Sequence, residues 1–293
     1  MDDARLARTL WRAMEPIHAV VYFAPDVKTA FEDLGLHGFW RGYFASRAAP
    51  MGPVPAEVVI ATFYNFAPDM VRWAMSEAWR HADPATVTAA RLRLADRTLR
   101  SWLGEQRIDS AEVSEAAALA RRAAEVASPL GRPLFAGYTT LAWPEEPHLA
   151  LWHATTWLRE HRGDGHVSAL VTEHIDGCEA NVLTAASGAS TTEMQRASRQ
   201  WPDEEWEAAV ERLRGRGWLE DDTTLTPDGT TAKRRVEDRT DELAAPPLAA
   251  LDDADRHRLL ALLTELSRAV LDAGDIRFPN PIGLPDLRTP AES

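Results

Sequence analysis

The residues of this chain that are best suited to chemistry are concentrated in the stretch Leu158–Leu170. Within it, His161 and His166 stand on either side of an Arg-Gly-Asp-Gly segment. A histidine can donate or accept a proton near neutral pH, and a neighbouring carboxylate can orient its ring. This pattern predicts His166, Asp164 and His161 as the catalytic residues of any reaction that the protein performs. The alternative is that each is a hydrogen-bonded core or surface residue, and the sequence leaves the question of catalysis open.

The ligand-binding residues are expected on two facing walls, one from each half of the chain. Arginines can hold a carboxylate or a phosphate through paired hydrogen bonds, and polar tips among apolar neighbours are typical of a ligand pocket. The predicted ligand-binding residues are Arg159, Arg162 and Glu179 in the second half and Tyr22, Trp40, Tyr43, Arg47, Tyr64, Asn65 and Phe66 in the first. The alternative is ordinary core packing with a salt-bridge network around Arg159, Glu160 and Asp164. No recognised metal-ligand or cofactor motif is present, so we predict neither a metal nor a cofactor.

Apolar helical patterns flank this polar stretch on both sides and decide how it is positioned. Gly163 and Gly165 predict a break between a helix that starts near Pro144 and a second helix that ends at Leu170. Buried polar groups need partners. We therefore expect a charged break between buried helices to form one wall of a ligand site.

The two ends of the chain also have clear helical patterns. Residues 4–14 show helical spacing, and Pro16 predicts the end of that helix. Residues 253–273 form a strong amphipathic helix, which Gly274 ends before an extended tail.

Composition restricts the class of protein. The 293 residues carry a formal net charge of −13, which disfavours a polyanionic partner overall. Cys178 is the single cysteine, which excludes an internal disulfide and predicts a reducing, cytoplasmic setting. No apolar run approaches the length of about 18 residues that a membrane span needs, and the first residues do not resemble a signal peptide.

The two halves of the chain match each other weakly but in order. The matched residues, at shifts of 119, 121 and then 122 positions, are Pro25 with Pro144, Arg41-Gly42 with Arg162-Gly163, and Ser46, Glu57, Thr62 and Trp79 with Ser168, Glu179, Thr184 and Trp201. A shift that drifts slightly and then holds predicts an ancient duplication. The alternative is a chance match among common residues.

A segment of the second half resembles the winged-helix part of MarR-type proteins. Residues 203–241 contain EEWEAAVERLRGRGWLE, an acidic turn, LTPDG and a charged helix that ends in VEDRTD. The likeness extends loosely over residues 160–245. Over its full length the chain resembles the SalK-like helix-turn-helix family of actinobacteria, through HAVVYFAP, GYFASRAAPMG, LREHRGDGH and RTDELA.

These resemblances imply a fold and a place for the ligand. We expect a mainly α protein with tandem MarR-like winged-helix halves, 1–130 and 131–293, that form a pseudo-dimer within one chain and carry short β wings. In MarR-like folds a small ligand lies between a lobe and the dimerisation helices. The likeness therefore implies a pocket between the halves.

The sequence does not favour binding to duplex DNA. Residues 203–222 contain eight acids and three arginines, a net charge of 3 − 8 = −5, which repels phosphate. In the first half, Arg93, Arg97 and Arg100 lie on one helix face with Arg91 nearby. That face is either a backbone-contacting surface or a solvated surface on which Asp96 and Glu105 are the ion-pair partners.

The sequence as a whole predicts a small-molecule-binding protein on a winged-helix scaffold that has lost duplex binding. It leaves open an enzyme that acts on a small natural product by histidine and aspartate acid–base chemistry. The alternative is a ligand-responsive MarR-like transcriptional regulator. We expect a cytoplasmic monomer or homodimer without a membrane partner.

Overall fold

The fold is built from α-helices joined by short turns. The computed structural model describes residues 2–274, 276–284 and 286–288. The helices of the first half are α1 (Asp3–Phe23), α2 (Phe39–Ala48), α3 (Ala56–Phe63), α4 (Pro68–Met75), α5 (Ala78–His81), α6 (Pro84–Leu103), α7 (Glu105–Ile108) and α8 (Ala111–Glu125). Those of the second half are α9 (Pro133–Tyr138), α10 (Pro147–Thr172), α11 (Gly177–Ala186), α12 (Thr192–Arg199), α13 (Asp203–Gly215), α14 (Pro227–Ala244) and α15 (Asp253–Asp272).

Several of these helices begin where the sequence supplies a side-chain cap. The carboxylate of Asp83 accepts the backbone N–H of Thr86 at 3.0 Å at the start of α6. At the start of α11, Asp176 and Glu179 each accept the other's backbone N–H, at 2.8 and 3.0 Å, in a capping box. The amphipathic pattern before Gly274 is confirmed as α15.

The first helix continues through Pro16, so the prediction that it ends there is wrong. An interior proline lacks the N–H that the helix needs and crowds the preceding turn. In α1, however, every residue from Ala13 to Tyr22 is buried, because the helix packs against α10, α14 and α15. Burial of that apolar surface outweighs one missing hydrogen bond.

The polar stretch Leu158–Leu170 is also unbroken, because it lies inside the 26-residue helix α10. The predicted break is therefore wrong. The second glycine, Gly165, serves close packing: a Cβ there would lie 2.6 Å from a terminal nitrogen of the Arg132 guanidinium. That guanidinium crosses α10 at this point and donates to the carbonyl oxygens of His161 and Leu243.

The predicted β wings are absent from the described residues, where the only pairing of this kind is one antiparallel bridge between Leu219 and Leu225. Between them, the side chain of Asp221 accepts hydrogen bonds from the backbone N–H and the hydroxyl of Thr223, at 2.7 and 3.0 Å. Such a local turn competes with a strand ladder for the same backbone groups. The segment predicted to be a wing is therefore a tight acidic turn.

The core brings both halves of the sequence together. The largest cluster of buried apolar residues includes Leu94 and Trp152, and a second includes Val113 and Leu263. A smaller third cluster joins the end of α10 to α11, α13 and α14. The predicted division of the chain into halves 1–130 and 131–293 therefore stays a prediction, and the two halves share one core. Within the described residues, no helix is both long and apolar enough to cross a bilayer.

Candidate functional site

A cavity of about 160 Å³ lies where α2, α3 and the turn after α3 face α10 and α11. Six of the predicted site residues line it, and they are Arg47, Tyr64, Asn65, Arg159, Asp164 and His166. Further polar lining comes from residues outside the predicted set, namely Thr62, Glu160, Asn181 and Thr184. Two walls from the two halves of the sequence therefore meet at one cavity.

The inner wall of the cavity is an ion-pair network centred on Glu160. Its carboxylate oxygens accept from Arg47 at 2.9 and 3.0 Å and from Arg159 at 2.7 Å, and its side chain is 1% exposed. Burial by itself would raise the pKa of Glu160, but the guanidiniums of Arg159 and Arg47 hold it at about 2. Glu160 is therefore ionised at neutral pH.

Behind this wall, the network continues into α1 and α6. His18 contacts the hydroxyls of Thr156 and Tyr22, each at 3.0 Å, and the hydroxyl of Tyr22 also accepts from Arg91 at 3.1 Å. Burial, together with the charge of Arg159, lowers the pKa of His18 well below its usual range. Burial raises the pKa of Glu15, which contacts Arg159 at 3.5 Å.

The sequence reading missed His18, Glu15 and Arg91 as members of this network. A signal existed, because His18 and Tyr22 are four residues apart and share a face of any helix that includes both. Because the first helix was predicted to end at Pro16, His18 and Tyr22 were not placed on a common helix face.

The turn after α3 holds an unusual backbone at the edge of the cavity. Tyr64 has φ +26°, a conformation that is costly for a residue with a side chain. Its hydroxyl donates to the carbonyl oxygen of Ile175 at 2.8 Å. The carbonyl oxygen of Asn65 accepts from Asn181 at 2.7 Å and from Trp201 at 3.0 Å. Contacts with the second half thus hold the turn in place.

The three predicted catalytic residues are not arranged as one unit. Asp164 accepts the backbone N–H of Phe135 at 2.9 Å, so it caps α9 and does not orient a histidine. His166 contacts the hydroxyl of Thr240 at 3.0 Å. His161 faces away from the cavity onto the ring of Phe135, with centroids 5.1 Å apart, and burial lowers its pKa to about 3.

Asp164 is the one of these three whose proton affinity suits acid–base work near neutral pH. Burial raises its pKa to about 7, against the opposing effect of the Phe135 N–H. A carboxyl of this kind at a cavity is a candidate proton donor or acceptor.

Replacing Asp164 by asparagine is expected to stabilise the protein above pH 7. Because the folded-state pKa of Asp164 is raised from 3.8 to about 7, folding takes up a proton, and wild-type stability falls as pH rises through that window. Asparagine keeps an oxygen for the Phe135 N–H without the charge. The gain should approach about 4 kcal/mol well above pH 7 and be near zero below pH 4, because each pKa unit corresponds to about 1.4 kcal/mol.

Urea unfolding of wild type and Asp164→Asn at a series of pH values measures this difference. The exposed Asp33→Asn is the matched control and should change stability little at any pH. A variant that loses stability equally at every pH would contradict the raised pKa.

The remaining predicted ligand-binding residues lie behind or beside the cavity. Arg162 pairs with Asp241 at 2.7 Å, on the side of α10 that faces α14. Glu179 caps α11 and pairs with Arg212 at 2.8 Å. The aromatic residues predicted as lining form a packed cluster around Arg47, and they are Tyr22, Trp40, Tyr43 and Phe66.

Equivalent positions of the proposed duplication meet at the cavity. Thr62 and Thr184 both line it, and each donates to the carbonyl oxygen four residues earlier, at 2.7 and 2.8 Å. The indole N–H groups of Trp79 and Trp201 each donate to a backbone carbonyl, at 2.8 and 3.0 Å. Glu57 and Glu179 differ, because the first is exposed and the second is buried.

Among the described residues, no group of three or more histidine, cysteine or acidic side chains is arranged to hold a metal ion. His161 and His166 point to different neighbours of α10, and Glu179 is already paired with arginines. These side chains therefore do not converge on one point.

The surfaces that would meet DNA carry little free positive charge. On α13 and the following turn, Arg212 pairs with Asp176 at 2.5 Å, and Arg214 pairs with Asp222 at 2.6 Å. The acidic residues of this surface are exposed, and they are Asp203, Glu204, Glu205, Glu207, Glu211, Glu220, Asp221 and Asp222.

The basic face predicted on α6 is compensated in part. Arg91 is buried, Arg97 pairs with Asp26 at 2.7 Å, and Arg100 pairs with Asp96 at 2.8 Å and with Glu105 at 2.5 Å. The prediction that Asp96 and Glu105 are the ion-pair partners of this face holds for Arg100, whereas Arg97 pairs with Asp26 and Arg93 is exposed to solvent.

Comparison with known families identifies the class of protein. The sequence model of a helix-turn-helix family matches residues 7–277, so this chain belongs to that helix-turn-helix family. Neither the curated proteins nor the solved structures give a significant match.

Proposed function

We propose that this helix-turn-helix protein binds a small molecule in the cavity between α2, α3, α10 and α11. The observation that carries the proposal is a partly open cavity whose inner wall is a buried ion-pair network and whose edge is the strained Tyr64 turn. A charged wall and a strained backbone are both costly for folding. Such features are typical of binding sites.

The size of the cavity restricts the ligand. A volume of about 160 Å³ is close to that of an engineered protein cavity that holds one benzene molecule, at about 150 Å³. The ligand, or the part of it that is enclosed, therefore has roughly the size of a single six-membered ring.

We further propose that the two halves are helical units related by duplication, with the cavity at their contact. Thr62 and Thr184, which occupy equivalent positions, support this arrangement by lining the same cavity. Any acid–base chemistry would rest on Asp164 and His166, which line the cavity, and not on His161.

A fragment screen by thermal melting tests small-molecule binding. Fragments of one ring or less should raise the melting temperature of wild type. Ala180→Leu, which fills the cavity from α11, should abolish those shifts, whereas the same change at the exposed Ala208 of α13 should preserve them. Equal shifts in all three proteins would place binding elsewhere and contradict the proposal.

A ligand-responsive transcriptional regulator is the second candidate, and membership of a helix-turn-helix family favours it. We expect no retention on heparin and no shift of fragmented genomic DNA at about 50 mM salt, because an acidic surface releases no counterions from DNA. A shift that weakens steeply between 50 and about 200 mM salt would favour the regulator instead.

A further inference from the structure

Around the cavity, the buried arginines outnumber the carboxylates that are ion-paired with them in the described part of the chain. Arg47, Arg91 and Arg199 are 4%, 3% and 7% exposed, and Arg159 is half-buried beside them. The acidic groups that the network sets against these four guanidiniums are Glu160 and Glu15. Uncompensated buried charge is among the most costly features that a fold can contain.

Two of these arginines have only neutral partners in the described part of the chain. Arg91 donates to the hydroxyls of Tyr22 at 3.1 Å and Ser46 at 3.3 Å. Arg199 donates to the carbonyl oxygen of Pro281 at 2.9 Å and to a serine hydroxyl at 3.4 Å. The Nε atoms of Arg47, Arg91 and Arg199 are buried and have no hydrogen-bond partner among the described residues.

Burial acts differently on the two acids of the network. Burial raises the pKa of Glu15, whereas Glu160 is strongly ionised and shared between Arg47 and Arg159. Burial also lowers the pKa of Arg199 to about 10, which reflects a guanidinium without an anionic partner. Among the described residues, no carboxylate pairs with Arg91 or Arg199.

We infer that the ligand of the cavity is a small organic anion, a monocarboxylate of about one ring in size, whose charge compensates the surplus guanidiniums. This inference rests on the proposed function and names the chemistry of its ligand. Arg47 and Arg159 line the cavity and present the positive potential, whereas Arg91 and Arg199 add to it from behind.

The rest of the lining favours an organic anion over an inorganic ion. Apolar side chains form part of the wall, and they are Phe63, Leu134, Val167 and Leu170. Phosphate would leave these apolar side chains without a contact. A carboxylate on an apolar ring or chain would contact the arginines with its charged group and the apolar side chains with its ring or chain. Asp164 also lines the cavity, and a bound carboxylate favours its protonated form, which can donate a hydrogen bond.

Calorimetry with matched pairs of probes tests the charge of the ligand. The probes are benzoate with benzamide, butyrate with butyramide, and inorganic phosphate. We expect each carboxylate to bind at least about tenfold more tightly than its amide, as charge-assisted hydrogen bonds require, and phosphate to bind more weakly than benzoate.

Each result has a defined consequence. If the amides bind as tightly as the carboxylates, the inference that the ligand is an anion is overturned, but small-molecule binding is not. If phosphate binds more tightly than both carboxylates, the inference that the anion is organic is overturned. If none of the five probes binds but neutral ring-sized fragments do, this inference fails and the proposed function stands. If those fragments fail as well, the proposed function fails with it.

The variant Arg91→Met separates a charge-supplying role from a structural one. Without the Arg91 guanidinium, the hydroxyl of Tyr22 keeps its hydrogen bond with His18, and the hydroxyl of Ser46 still donates to the carbonyl oxygen of Tyr43. We expect benzoate to bind about tenfold more weakly, while the melting temperature of the ligand-free protein stays equal or rises.

A lower melting temperature of ligand-free Arg91→Met, or unchanged benzoate affinity, would overturn the inference. Arg97→Met, on the exposed side of the same helix, is the control and should change neither quantity. If Arg91→Met does not fold, Arg199→Met provides the same comparison, because Arg199 also lacks an acidic partner.

Discussion

Replacing Glu160 by glutamine should lower the free energy of unfolding by about 3–5 kcal/mol, because it leaves buried guanidiniums without their counter-charge. Glu160 is 1% exposed and accepts from both Arg47 and Arg159. Glutamine keeps the shape of the side chain but presents an amide group to one of the two arginines. The loss is therefore electrostatic and does not arise from a cavity.

Chemical denaturation at pH 7 measures this loss, and two further variants control it. Glu211→Gln removes an exposed partner of Arg214 and should cost less than about 0.5 kcal/mol. Arg47→Met combined with Glu160→Gln should cost less than Glu160→Gln alone, because fewer buried charges remain unpaired. A loss for Glu160→Gln that equals that of Glu211→Gln would contradict the buried network.

The difference in stability between wild type and Glu160→Gln should depend on pH. The folded-state pKa of Glu160 lies near 2, below its ordinary value of 4.5. Its contribution is therefore complete above pH 4.5 and is lost as pH falls toward 2. The difference between wild type and Glu160→Gln should shrink over that acid range.

Replacing Gly177 by alanine should destabilise the protein by about 3 kcal/mol, at the upper end of what overpacking costs. A Cβ at Gly177 would overlap the carbonyl oxygen of Tyr64 and lie 3.2 Å from the Cα of Asn65. These are backbone atoms, so no side chain can rotate away, and α11 must separate from the turn after α3. Because Tyr64 and Asn65 line the cavity, ligand affinity should fall as well.

Gly215→Ala is the matched control for this prediction. Gly215 lies in the last turn of α13, and a Cβ there would meet no atom within 4 Å. The helix should be stabilised by about 0.5–1 kcal/mol, because alanine loses less conformational entropy than glycine. Opposite signs for the two substitutions, measured by thermal and chemical unfolding, are the expected result, and a neutral Gly177→Ala would show that the α3 and α11 contact is loose.

The sequence alone predicted much of the local structure and part of the candidate site. Helical spacing and Gly274 marked α15, and the composition of residues 203–222 predicted the acidic surface of α13. The expectation of two facing walls agrees with Arg47 and Tyr64 lying across one cavity from Arg159 and Asp164. These features depend on residues that are close together in the chain or on net charge. Both can be obtained directly from the sequence.

Other features depended on contacts between distant residues. Pro16 and Gly165 have local preferences against a helix interior, yet α1 and α10 run through them. In both helices, packing against other parts of the chain outweighs those preferences. The roles of Asp164 and His161 were likewise decided by Phe135, a residue of another helix that supplies an N–H to one and a ring to the other.

The stretch Leu158–Leu170 shows which features the sequence determined and which depended on the tertiary structure. Its composition determined that it carries charge into the interior, because so many ionisable groups lie between apolar helical patterns. Only the tertiary structure decided which groups share a cavity. The side chains of one helix point in different directions, so Glu160 and Asp164 line the cavity while Arg162 faces α14. Charge is a property of composition, whereas its compensation is a property of packing.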